Sequence, residues 1–363
     1  MLLNFLPPII STSVVAPSIT DQPDTIEVYE GQTATFTVAA TGGGLTYQWQ
    51  RSDNAGVDWS NISGATSNSY TTAAAVRTTD NDDQFRCVVT NSAGDANSNA
   101  AILTVWNPLA LGADLACWLD PTSGVFTQRT GSSASTAATN GDPVGTWRAK
   151  NGTINGTAGS DTQRGILRTT GLNGTPCVEF DGTDDRYDFT TDLATVFKNK
   201  SYGYMFIAAA SEAEASAAVA LIFATNSASV SRASLNFNFL STSGTSAVAL
   251  RRLDGDSAAT ATAAATITSN VAAIWGCEFL WGVSDLHLRK NGTRIASNTS
   301  AGTNGATSNT NSANVTLGGN GTGFLPFDGF IGHVVVTCPT AEHDSTTIAK
   351  IEGYLNYKSG SIY

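Results

Sequence analysis

The chain has 363 residues, 41% of them hydrophobic but only 13% charged, with 35 glycines and a formal net charge of −11. That length accommodates two or three domains with real cores, and scarce charge with abundant Gly, Ser, Thr and Asn points to turn-dense, all-β structure. The acidic balance excludes nucleic acid as the main partner, because phosphate binding needs clustered Lys and Arg. The imbalance is concentrated at the front: residues 18–106 hold ten carboxylates and three arginines, a net −7, leaving −4 for residues 107–363.

Residues 1–16 are apolar but have no basic leader and are interrupted by Pro7-Pro8, so residues 1–17 read as an extended arm. Such an arm suits docking onto a partner or a symmetry mate better than secretion, and no stretch is long enough to span a membrane. Strands are then expected at 25–28, 34–39, 45–50, 84–90 and 101–105. Phe36 and Val38 share a face, as do Leu45, Tyr47 and Trp49, and Phe85, Cys87 and Val89. About seven strands in ninety residues around one inward Trp make a sandwich of the immunoglobulin type. Trp59, in a polar hairpin, is expected to cover a sheet edge.

Trp106-Asn-Pro-Leu-Ala-Leu111 forms a short apolar connection, consistent with two stiffly joined domains. The second domain, 107–363, is expected to open with a strand at 115–120 and continue at 144–148, then with a strand at Val178 and Phe180. That last strand lies between the turns Asn173-Gly174 and Asp181-Gly182-Thr183-Asp184-Asp185. Further strands are expected at 202–208, 218–224, 235–239, 277–283 and 327–337. A hairpin is expected over 285–296 with Asn291-Gly292 at its tip, and a patternless loop over 297–314. One helix is expected at the end: Ile348, Ile351 and Leu355 recur at helical spacing, Asp344 or Ser345 can cap it, and Gly360 can close it.

The first domain resembles the I-set-like immunoglobulin modules of bacterial surface and phage virion proteins. The resemblance rests on Glu30-Gly31-Gln32-Thr33-Ala34-Thr35-Phe36, Tyr47-Gln48-Trp49 and the run from Asp83 to Gly94. Val38 stands where the first core cysteine would be, and Phe85 replaces the corner tyrosine, so Cys87 is expected to be an unbridged buried thiol. The second domain is similar to laminin-G/concanavalin-A-like jelly rolls. The residues that carry this are Trp118-Leu119-Asp120, Val144-Gly145-Thr146-Trp147-Arg148, Gly171-Leu172-Asn173-Gly174, Val178-Glu179-Phe180-Asp181-Gly182 and Lys350-Ile351-Glu352-Gly353-Tyr354-Leu355. The expected fold class is therefore all-β: an immunoglobulin-like sandwich, then a larger jelly roll with a short C-terminal helix.

Chemistry is less legible. Asp181, Asp184 and Asp185 cluster on a turn that Gly182 permits, which suits a hard cation such as Ca2+ and equally suits a self-bonded structural turn. Trp147, Asp184, Asp185, Arg186 and Tyr187 are the candidates for sugar contact, as aromatic faces flanked by orienting polar groups. Trp147 could instead pack in the core beside Trp118. No strand carries alternating acids of the glycosidase kind: Glu212 and Glu214 fall in an expected loop, 210–217. His287, His333 and His343 are isolated, and no nucleophile elbow precedes a helix. The five cysteines form no C-x-x-C pair, so they read as buried thiols, with a Cys117–Cys338 bridge left open.

No catalytic residue is therefore expected, nor any obligatory cofactor. The resemblance implies a non-enzymatic virion decoration or fibre protein, a homo-oligomer attached to other virion proteins by its arm and displaying a lectin-like jelly roll to host-surface glycans. A purely structural capsid or tail subunit and a secreted bacterial adhesin are the alternatives.

Overall fold

The computed structural model describes residues 13–129, 134–152, 154–189, 200–212, 219–226, 235–240, 245–250, 259–263, 268, 270–280, 283, 285–299, 314–319 and 326–363. The chain divides into two compact units, Met1–Asn107 and Pro108–Tyr363. Of the arm, residues 1–12 lie outside the described part, as do 213–217 of the expected 210–217 loop, Glu214 among them.

The first unit contains β1 (Ser18–Asp21), β2 (Ile26–Tyr29), β3 (Thr35–Thr37), β4 (Ala39–Thr41), β5 (Thr46–Ser52), β6 (Ser60–Asn61), β7 (Ser69–Thr71), the single-turn helix α1 (Arg77–Asp80), β8 (Gln84–Asn91), β9 (Gly94–Asn97) and β10 (Ala101–Trp106). The main sheet runs β2-β10-β8-β5-β6, with β9 on β8 and β2 parallel to β10; β3–β7 and β1–β4 form two further ladders. Period-two alternation drives this arrangement: in β8, Phe85, Cys87 and Val89 are buried while their neighbours are half-exposed.

Trp49 is fully buried and donates its indole N–H to Ser67 O at 3.0 Å. Phe36 stacks on Phe85 at 4.6 Å, and Tyr70 on Phe85 at 5.8 Å, so the phenyl ring that replaces a tyrosine joins an aromatic core. Val38 is buried and Cys87 is a free thiol whose backbone N–H bonds Ser98 Oγ. Trp59 donates to Gly56 O at 3.0 Å and lies under the Arg86 guanidinium at 4.2 Å, so it covers strand side chains.

After a 3-10 segment (Pro108–Asp114), the second unit contains β11 (Leu115–Leu119), β12 (Val125–Phe126), β13 (Thr146–Arg148), β14 (Asn155–Ala158), β15 (Ile166–Leu172), β16 (Thr175–Asp181), β17 (Tyr187–Phe189), β18 (Tyr202–Ser211), β19 (Val219–Asn226), β20 (Leu235–Leu240), β21 (Thr245–Leu250), β22 (Ala259–Ala263), β23 (Ala273–Leu280), β24 (Asp285–Lys290), β25 (Thr293–Asn298), β26 (Asn314–Leu317), β27 (Asp328–Thr337) and helix α2 (Ser345–Lys358).

One sheet runs β15-β16-β27-β18-β23-β24-β25 with β11 also on β27; the other runs β12-β13-β14-β17-β26-β19-β20-β21-β22. Their inner faces share one core, in which Trp147, Phe180, Tyr187, Ile207, Leu288 and Val336 meet. This is a concanavalin-A-like jelly roll, two antiparallel sheets packed face to face. Asn173 (φ 48°) and Gly174 (φ 78°) form the tight turn between β15 and β16, as Asn291 (φ 49°) and Gly292 (φ 78°) do between β24 and β25.

β27 is buried on both faces because α2 covers part of the outer side of its sheet. Asp344 caps α2 by accepting the Thr347 N–H at 2.7 Å, and Ile348, Ile351, Glu352, Tyr354 and Leu355 are its buried positions. Arg289 fixes the helix, bonding Glu352 bidentately at 2.9 Å and Glu278 at 3.0 Å, and Arg294 adds a second contact to Glu278. Nearby, buried Asp120 holds Lys150 at 2.9 Å, and burial lowers the pKa of His333 to about 4, keeping its imidazole neutral.

All five cysteines are buried free thiols. Burial lifts Cys87 to about 11 and Cys117 and Cys177 to about 12, and raises Cys277 and Cys338 as well. Cys117 lies opposite Val336, whereas the Cys338 N–H bonds Asp114 O, so the register offsets the pair that a bridge would join. The native protein is therefore expected to resist a thiol reagent and to release five thiols in denaturant; a count of three would reveal a bridge.

Candidate functional site: an acidic rim on the jelly roll

The strand β16 ends in Asp181, opposite Asp328 at the start of β27. On the other side of β27, β18 ends at Ser211, opposite Gly329, and the Glu212 N–H bonds Asp328 O at 3.1 Å. Three adjacent strands thus deliver Asp181, Asp328 and Glu212 to one end of the sheet, with Glu179 two residues inward of the end. Gly182 (φ 70°) turns the chain here, and a Cβ on it would come within 2.8 Å of the Asp328 Cβ.

The turn folds on its own polar groups. Asp181 accepts the Thr183 N–H at 2.8 Å, Asp185 accepts the Asp181 N–H at 2.9 Å, and Asp184 accepts the Thr162 hydroxyl at 3.0 Å. One oxygen of each carboxylate is thereby engaged. Asp181, Asp184 and Asp185 each offer a ligand oxygen within 4.8 Å of the others, with Asp181 exposed, Asp184 half-buried and Asp185 buried.

Burial governs the electrostatics, and repulsion between like charges adds to it. Burial, then the charges of Asp181, Asp184 and Glu179, push Asp185 up to about 6 against the opposing Asp181 N–H bond. Burial, then the charges of Asp181 and Glu179, raise Asp328, and burial with Glu179 and Asp328 raises Glu212. Arg168 pairs with Glu179.

Because folding raises the Asp185 value above the ordinary 3.8, the folded state holds a proton that the unfolded state has released between about pH 4 and 6. Stability is therefore lost as pH rises through that window. Asp185→Asn, which still accepts the Asp181 N–H, is expected to raise the melting temperature at pH 7 and flatten its dependence between pH 4 and 6. Melting curves in cation-free buffer check this.

The residues expected from sequence separate into two groups. Trp147 and Tyr187 are not on the surface: both are fully buried, edge-to-face at 6.1 Å, with the Tyr187 hydroxyl donating to Val144 O and the Trp147 indole to Asp120 O. They offer no face to a sugar, because the alternation along β17 that leaves Asp188 half-exposed turns Tyr187 inward. Arg186 is half-buried and faces Asp188 at 3.5 Å. Only Asp181, Asp184 and Asp185 come together, joined by Glu179, Glu212 and Asp328, which the local turn pattern could not reveal. The β16-β27-β18 order that unites them links residues more than a hundred positions apart.

The three histidines are structural. His287 pairs with Ser297 at 2.9 Å, His343 bonds Thr337 at 2.9 Å, and His333 is buried near Asp120.

Comparison with known proteins gives partial matches. Residues 19–107 match a family described as a domain of unknown function (DUF8696). The chain is 40% identical over 91 residues to endoglucanase C of Cellulomonas fimi, which is 25% of this chain and 8% of that protein, so the chain spans a small part of that relative's length. Among solved structures, the CBM40 of the Ruminococcus gnavus IT-sialidase bound to α2,3-sialyllactose aligns at 20% identity and TM-score 0.39, covering 48% of this chain and 94% of that one. A chimeric titin Z1Z2 aligns at 27% identity and TM-score 0.20, covering 26% and 98%. These are likenesses, and they assign neither a ligand nor an activity to this chain.

Proposed function

We propose that this chain is a non-enzymatic display protein, a decoration or fibre subunit on a virion surface, whose jelly roll contacts host-surface glycans at the acidic rim. The observation that carries the glycan contact is the concentration of six carboxylates, Glu179, Asp181, Asp184, Asp185, Glu212 and Asp328, around one end of a sheet, with Arg168 paired to Glu179. Asp181, Asp184 and Asp185 would hold a calcium ion there, since each keeps one oxygen outside the turn's own hydrogen bonds. Such an ion supplies open coordination positions for vicinal hydroxyls. The chain's residues fix the carboxylates: the Thr183 and Asp181 N–H groups and the Thr162 hydroxyl hold them on a turn that Gly182 allows.

The pairing of an immunoglobulin-like module with a jelly roll supports display. Five unbridged buried thiols support assembly in a reducing compartment before exposure outside a cell. The stretch shared with an endoglucanase supports a glycan-facing role.

A glycan array probed with the full chain tests the reading. Binding in calcium that weakens at least tenfold with EDTA or with Asp184→Asn is expected. Absence of binding in both conditions would leave the purely structural subunit, and antibody labelling of intact particles decides the location against a secreted adhesin. A second reading, glycan hydrolysis, is favoured by the closeness of the Asp181, Asp184 and Asp185 carboxylates, whose oxygens lie within 4.8 Å of one another, with burial raising the Asp185 acid in the direction a general acid needs. Release of reducing ends from a polysaccharide panel, lost in Asp185→Asn, would select it.

A further inference from the structure

A second polar surface lies in the same unit, where the first turn of α2 faces the β24–β25 hairpin. It is a cleft of about 430 Å³ lined by Arg289, Arg294, Glu342, His343, Asp344 and Ser345 over the buried Ile348. We propose that this cleft is a cation-independent subsite for a neutral polyhydroxylated ligand, one hexose unit of a glycan. This inference rests on the glycan-binding reading above.

The charge pattern selects the ligand class. The two guanidinium groups are already matched by the buried carboxylates of Glu278 and Glu352, so no surplus positive charge awaits a phosphate or carboxylate. Of the two other carboxylates in the lining, Asp344 is committed to the Thr347 N–H as the cap of α2, and Glu342 shares the cleft with the Arg294 guanidinium, whose side chain is 41% exposed. What the cleft offers is hydrogen bonding of both senses. Arg294 commits one nitrogen to Glu278 and keeps further N–H donors on its fork, while Glu342 is an exposed acceptor and Ser345 an exposed hydroxyl. Vicinal hydroxyls donate and accept at adjacent positions, which is what a guanidinium fork facing a carboxylate can satisfy.

The cleft is also held in shape. Arg289 is bonded to Glu352, Glu278 and Gly292 O, with Glu278 0% and Glu352 2% exposed at the side chain. Buried Glu278 in turn anchors Arg294. The His343 ring is tied to Thr337 and its backbone N–H to the Tyr204 hydroxyl at 3.0 Å. Donors anchored by buried partners need little reorganisation when a ligand arrives.

The test is calorimetric titration of the full chain with a panel of methyl hexopyranosides and N-acetylhexosamines, in EDTA so that the rim contributes nothing through a cation. At least one sugar is expected to bind in the millimolar range. Arg294→Gln and Glu342→Gln are each expected to weaken it tenfold or more, and Asp95→Asn, at an exposed position of β9 in the first unit, to leave it unchanged. Glu342 is exposed, so an unchanged melting temperature for its variant separates lost binding from lost folding. Sugar binding that ignores both cleft variants overturns the proposal, as does titration of glycine or inorganic phosphate into the cleft in place of sugar. A glycan array still positive in calcium, with no binding sensitive to Arg294, refutes the cleft alone. An array negative in every condition refutes the glycan reading and the cleft with it.

Discussion

Replacing Arg289 by Met is expected to destabilise the jelly-roll unit by about 3–5 kcal/mol, the usual cost of removing one partner from a buried ion pair. Calorimetric unfolding of the full chain would show the transition of that unit moving down in temperature while the immunoglobulin-like transition stays in place. The size follows from what is left behind. Glu352 is 2% exposed at its side chain, and the Arg289 Nε and Nη2 atoms, each at 2.9 Å, are its hydrogen-bond partners. Glu278 is fully buried but retains Arg294, so its loss is partial. An Arg289→Met, Glu352→Leu double variant should recover much of the loss, because the stranded carboxylate is gone and an apolar pair of similar volume fills the gap. If the double variant is as unstable as the single, the guanidinium stem and not its charge is what α2 packs upon.

The contrast between these acids and those at the rim explains why the two regions were unequally legible in the sequence. Strand positions were open to inspection wherever one face is apolar and the other polar: Phe85, Cys87 and Val89 in β8, or Val178 and Phe180 in β16, alternate as their burial does. The Asn-Gly turns at 173–174 and 291–292 and the Asp344 cap are equally local, each a matter of a few residues. The β11–β27 pairing, by contrast, joins the two ends of the second unit, and no short pattern carries that information.

The same limit applied to function. The triad Asp181, Asp184 and Asp185 is contiguous and could be seen, but Glu212 and Asp328 join it only through strand order. Arg294 and Ser345 meet only because α2 folds back over β24 and β25. Tyr187 and Trp147 both sit at inward positions of short strands, and a large aromatic at such a position packs in a core before it meets a ligand.

Trp147→Ala should therefore act as a core truncation and not as a binding-site change. Large-to-small replacement of a buried Trp costs about 3–5 kcal/mol, the lost transfer energy plus the cavity left behind. Here the cavity would open against Tyr187, itself in edge-to-face contact with Phe180 at 5.8 Å, so the loss reaches the centre of the sheet-to-sheet packing. Gly156, opposite Trp147 on β14, cannot relieve it, because its Cα lies against the Phe189 ring, where an added Cβ would come within 2.7 Å. The expected signature is a jelly-roll melting transition lowered by many degrees, with glycan affinity, measured well below that transition, unchanged within twofold. A variant that keeps its melting temperature and loses glycan binding would return Trp147 to the surface and contradict the strand register of β13.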